Sequence, residues 1–96
     1  MQDCILHVID RQGNEDCPSH SFWCSGCNSA HAIWTTGRVA WKFNGSLEKP
    51  TFEPSFLIHA SKVSPRCHLH IREGNIHYCD DCDHELKGKV VPMEKF

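Results

Sequence analysis

Ninety-six residues, 40% hydrophobic and 23% charged, with a net charge of −2, describe a single domain over residues 1–96. A chain of this length buries only about 60–65% of its unfolded surface, so its core is modest and a staple would help. The mild acidity, with a pI near 6.4, argues against a nucleic-acid or membrane-surface partner. No apolar run approaches the ~18 residues needed to cross a membrane.

Seven cysteines and eight histidines are the unusual feature. A disulfide framework would strand one of seven thiols, and so much histidine suits metal better. The opening MQDCILHVIDRQ is too short and too polar for a secretory signal. The expected setting is a reducing compartment, the cytoplasm (a host cell's, should the chain be phage-encoded).

In chain order, CILHVID (Cys4 to Asp10) is apolar and β-branched and predicts a first strand. AIWTTGRVAWKF (Ala32 to Phe43) predicts a hairpin turning at Thr36-Gly37, with Ala32, Trp34, Val39, Trp41 and Phe43 along one face. Asn44-Gly45-Ser46 ends it. Pro50 and Pro54 exclude helix and central-strand pairing up to Ser55, after which Phe56 to Ala60 can be a strand.

The clearest element is CHLHIREGNIHYC (Cys67 to Cys79), a hairpin around Glu73-Gly74. Cys67, Leu69, Ile71, Ile76, Tyr78 and Asp80 face one way. His68, His70, Arg72, Asn75, His77 and Cys79 face the other. Asp80 to Gly88 predicts one or two helical turns stopped by Gly88, and KVVPM an edge strand. The fold class is mostly β: a small zinc-stabilised domain of antiparallel hairpins with one short helical turn near the C-terminus.

Cys24-Ser25-Gly26-Cys27 has the C-x2-C spacing that presents two sulfurs to one tetrahedral ion. A redox pair would open a helix in a βαβ unit, which nothing here predicts. The other half of the site has several candidates. Cys79 and Cys82 form a second C-x2-C. Cys67 with His84, or Cys67 with Cys82, lies at the open end of the third hairpin. Cys67 and His68 point to opposite faces of a strand, so both bind one ion only where the strand bends. His31 suits an outer partner that orients a ligand.

The face carrying His68, His70, His77 and Cys79 offers a second metal site, against the plainer reading of a polar sheet surface. Asp80, Asp81, Asp83 and Glu85 read as a solvated turn. Asp81 alone stays in play, close enough in sequence to orient His84 or to serve as a general base. Trp23, Trp34, Trp41 and Phe52 lack the interleaved basic patch of a nucleic-acid surface, so they read as core.

These motifs resemble a family of small phage and prophage zinc-binding proteins of unknown function, some of whose members carry the label ammonia monooxygenase. The resemblance rests on Cys24-Ser-Gly-Cys27 with His31, and on Trp41-Lys-Phe-Asn44-Gly-Ser-Leu-Glu-Lys-Pro-Thr-Phe-Glu-Pro-Ser55. Cys67-His68 and Asp81-Cys82-Asp-His84 with Gly88 complete it. The family pattern has no counterpart of Cys79 and admits serine at Cys82. The resemblance therefore implies a metal set of Cys24, Cys27, Cys67 and His84, with His68 and Cys82 in reserve and His31 and Asp81 as supporting residues.

The expected role is a structural zinc protein that works by binding a host or phage protein, with no catalytic residue assigned. One alternative is a metal-dependent hydrolase or nuclease using an open zinc site, with Asp81 or His68 as its acid–base group. The other is a nucleic-acid-binding zinc ribbon, disfavoured by the charge.

Overall fold

The computed structural model describes residues 4–14, 16–37, 40–58 and 66–96. Eight strands form two antiparallel sheets. β1 (Leu6–Val8), β2 (His20–Cys24) and β3 (Ser29–Ile33) make a three-stranded sheet in chain order. β4 (Lys42–Phe43), β5 (Phe52–Ile58), β6 (Cys67–Arg72), β7 (Asn75–Tyr78) and β8 (Val90–Pro92) make a five-stranded one, also in chain order.

Alternation decides what is buried. In β6 and β7, Cys67, Leu69, Ile71, Ile76 and Tyr78 turn inward and are 4% exposed or less, while their neighbours turn out. The other sheet answers with Leu6, Phe22, Cys24 and Ile33, and the two inner faces share one core. Phe22 meets Phe56 across it at 5.7 Å between ring centroids. The third hairpin has the expected register, Arg72↔Asn75 and Leu69↔Tyr78. Glu73 and Gly74 both adopt positive φ at its two-residue turn, the backbone hand that matches strand twist.

Three expectations change. Among the described residues the hairpin across Thr36-Gly37 shows no ladder: β3 pairs with β2, and β4 pairs with β5. A backbone bond from Trp41 N–H to Trp34 O spans the crossing between sheets. The inward residue is therefore Ile33, fully buried, and Ala32 is exposed; Val39 lies outside the described residues. Second, the strand placed at Phe56 to Ala60 begins at Phe52 and takes in Pro54; residues 59 and 60 lie outside the description. Between Phe52↔Ile71 and Phe56↔Leu69, four steps along β5 match two along β6, and Pro54, with no N–H to pair, sits in this bulge beside Ser55.

Third, the short helix predicted within Asp80 to Gly88 is absent; among the described residues there is no helix, only a run of turns. Its backbone groups go elsewhere. Asp83 N–H donates to Arg66 O and Gly88 N–H to Cys79 O. The loop is tied to the residue before β6 and to Cys79, and its own bonds, such as Lys87 N–H to His84 O, close single turns only. The edge strand within KVVPM is present as β8, paired to β7.

Candidate functional site

Two constellations lie on opposite sides of the strand that starts at Cys67. The inner one gathers sulfur. β2 and β3 form a hairpin whose turn is Ser25-Gly26-Cys27-Asn28, so Cys24 closes a strand and Cys27 rides the turn. Cys24 Sγ lies 3.8 Å from Cys67 Sγ, and the ligand atoms of Cys24, Cys27 and Cys67 all lie within 4.8 Å of one another. Cys67, Cys82 and His84 form a second such group. His84 Nε2 is 3.2 Å from Cys67 Sγ.

Gly26 explains how the two groups meet. The His84 ring packs so closely over it that a Cβ there would overlap the imidazole, so only glycine fits. Tyr78 closes the other side: Gly26 N–H donates to its hydroxyl at 3.2 Å, and the hydroxyl reaches Cys24 Sγ at 3.3 Å. The Cys67–Cys24 hydrogen bond holds the Cys24 thiol far below its ordinary pKa. The same contact, with burial next, pushes Cys67 well above it. Packed sulfurs of this kind lose one proton easily and the rest only when a cation joins them. The donor set fits a metal ion of thiolate and imidazole preference. His31 stands close enough to Cys24 to lower its pKa, and its Nε2 is buried without a hydrogen-bond partner.

The outer constellation is made of residues that local spacing does not join. Ser55 sits in the β5 bulge, half-buried, and Trp41 Nε1–H holds its carbonyl at 3.3 Å. His68 pairs with Leu57 in the ladder and turns outward. Its Nε2 is 2.9 Å from Ser55 Oγ, and its Nδ1 is 3.1 and 3.2 Å from the two oxygens of Asp81. A carboxylate at Nδ1 fixes the proton there and leaves Nε2 to accept from the Ser55 hydroxyl. The arrangement has the geometry of a hydroxyl, a base and a group that orients the base.

Two reciprocal pairs hold Asp81 at the histidine. Arg66 N–H donates to Asp83 Oδ2 at 3.2 Å while Asp83 N–H donates to Arg66 O at 2.9 Å. His68 N–H donates to Cys82 Sγ at 3.2 Å while the Cys82 thiol donates to His68 O at 3.1 Å. The Arg66 guanidinium lies 3.1 Å from Asp81 and, ahead of the His68 contact, keeps its carboxyl below the usual carboxylate range.

Of the sequence-predicted residues, Cys24, Cys27, Cys67 and His84 come together on the inner side. His68, named as a reserve ligand, lies on the outer face with Ser55, on the other side of β6 from Cys67. Asp81, expected to orient His84, places its carboxylate on His68 and Arg66 instead. Cys82 reaches both ways: its sulfur grips the His68 backbone and lies within 4.8 Å of the Cys67 and His84 ligand atoms. Ser55 is the residue sequence reasoning missed. Its signal was its place at the end of the Pro-Thr-Phe-Glu-Pro-Ser run, the most specific segment of the chain.

A family model described as "Bacterial ubiquitination-like system serine protease (BubE)" matches residues 1–79. The match takes in Ser55 and His68 and ends two residues before Asp81. No curated protein and no solved structure matches the chain.

Proposed function

The chain belongs to the BubE family, and we propose that it is a serine protease in which Ser55 is the nucleophile, His68 the general base and acid, and Asp81 the residue that orients His68. One observation carries the reading: Ser55 Oγ, both ring nitrogens of His68 and the Asp81 carboxylate form an unbroken hydrogen-bonded chain. Their order in sequence, Ser–His–Asp, is no obstacle, since such triads are recognised by geometry and role.

On this reading Ser55 Oγ attacks the carbonyl carbon of an amide and passes its proton to His68 Nε2. The imidazolium, held by Asp81, then protonates the departing amine. An acyl-enzyme on Ser55 remains, and water attacks it with His68 again acting as base. The family description names a bacterial ubiquitination-like system, and on this reading the substrate is a peptide or isopeptide bond of that system's modifier protein.

The inner cluster takes a structural role. Cys24, Cys27, Cys67 and His84 hold one zinc ion in a closed three-thiolate, one-imidazole site, with His31 beside Cys24. Cys82 is left to grip the His68 backbone. The ion's contribution is stability: about 10–16 kcal/mol of apparent binding free energy is typical of such sites. A role as a binding-only accessory protein would leave the Ser55–His68–Asp81 chain without a purpose.

The test is hydrolysis of a ubiquitin-like bacterial modifier bearing a reporter amine at its C-terminus. The metal-loaded wild type should release the reporter and Ser55→Ala should not. Equal release by both, or none by the wild type across modifiers of several such systems, would overturn the reading.

A further inference from the structure

Cys79 belongs to neither the sulfur cluster nor the triad, yet it stands beside two members of the triad, His68 and Asp81. Its N–H donates to His68 O at 2.9 Å, which carries the β6–β7 ladder one step past Leu69↔Tyr78. Cys79 is therefore directly opposite His68, and strand alternation sends both side chains to the outer face. The ligand atoms of His68, Cys79 and Asp81 all lie within 4.8 Å of one another.

These three donors suit a metal ion in kind as well as position. A thiolate, an imidazole and a carboxylate are the ligands of borderline cations such as Zn²⁺, with bond lengths of about 2.0–2.3 Å. Tetrahedral geometry at those lengths asks the donors to draw in by roughly 1 Å, within reach of side-chain rotation. The site opens to solvent, with the His68 and Asp81 side chains 28% and 45% exposed. That exposure separates it from the inner cluster, whose Cys24 and Cys67 are fully buried.

We infer that Cys79, His68 and Asp81 form a second, reversible metal site whose occupation switches the triad off. The Nδ1 proton moves to Nε2, the ion takes the Nδ1 lone pair so freed together with an oxygen of the Asp81 carboxylate, and the Cys79 proton leaves to solvent. His68 then has no hydrogen-bonded orienter and cannot serve Ser55 as a base.

The metal-binding half of this inference stands alone; the inhibitory half rests on the protease reading, and the experiment separates them. The chain carrying its structural ion is titrated with Zn²⁺ against a chromophoric chelator, and its Ser55 is labelled with a fluorophosphonate at each point. Wild type should bind one ion more than Cys79→Ser, and filling that site should slow labelling by roughly a hundredfold or more. Cys79→Ser should label at nearly the same rate with and without added zinc. Equal metal uptake by the two proteins would overturn the site. Extra uptake by the wild type with unchanged labelling would overturn the switch. A wild type that never labels, even with only its structural ion, removes the protease reading and the switch with it, while the difference in uptake still judges the site.

Discussion

Cys67 and His68 are neighbours in β6 and belong to opposite worlds. Cys67 points into the core, where it is fully buried among sulfurs and the Tyr78 ring. His68 points outward, partly exposed, between a hydroxyl and a carboxylate. The same division repeats in the loop that meets them: Asp81 is exposed beside His68, while Cys82 is buried beneath it. Sealed soft donors suit a stabilising ion; a hydroxyl and imidazole open to solvent suit a reaction. One pleated strand presents both because its side chains alternate, so an ion bound at Cys67 would also fix the backbone from which His68 projects.

That comparison can be broken from either side. Removing metal should do most damage, because about 10–16 kcal/mol of binding free energy matches or exceeds a small domain's usual stability. Chelation should collapse NMR dispersion and abolish hydrolysis together; a stripped protein that keeps its spectrum and its melting temperature would show that the cluster is not the staple. Ser55→Ala should behave in the opposite way. Turnover should fall at least about a thousandfold while the melting temperature moves by no more than a few degrees.

Asp81→Asn should come next, lowering kcat by roughly 10²–10⁴ through loss of the correct His68 tautomer, with the fold intact by circular dichroism. A rate within twofold of wild type would mean that Asp81 only neutralises Arg66. The mildest effect should come from Cys82, whose thiol acts as both donor and acceptor on the His68 backbone. Cys82→Ala should cost about tenfold in kcat with KM unchanged, and Cys82→Ser, which keeps both hydrogen-bonding functions, should recover most of it. Equal loss in both variants would point to sulfur held by the metal rather than by His68.

Part of this was legible in the sequence because short-range rules govern it. The third hairpin followed from Glu73-Gly74 and a period of two, and the C-x2-C turn from its spacing and Gly26. What failed depended on partners distant in sequence. Thr36-Gly37 looked like a hairpin turn, but β3 and β4 each found a better partner in a different sheet. The acidic stretch Asp80 to Gly88 had helical composition, yet Arg66 and Cys79 claimed its backbone groups. β2 was overlooked because the cysteines at its end drew attention from its alternation, in which His20, Phe22 and Cys24 are the buried residues.

The triad was legible only as fragments. Ser55 closes the Pro-Thr-Phe-Glu-Pro-Ser run, His68 belongs to Cys67-His68, and Asp81 opens Asp81-Cys82-Asp-His84. The first was read for its prolines, and His68 and Asp81 were weighed as acid–base groups only beside a metal, so nothing joined them to Ser55. The parity argument that separated Cys67 from His68 holds in the structure, where they point to opposite faces of β6. Nothing in local spacing reveals that a bulge in β5 brings Ser55 within 2.9 Å of His68.

The most direct measurement of the central claim is the site of covalent modification by a fluorophosphonate on the metal-loaded protein, read by intact mass and peptide mapping. A single adduct on Ser55, absent from His68→Ala at equal metal content, is the expected result. An adduct on another residue, or undiminished labelling of Ser55 without His68, would contradict the account.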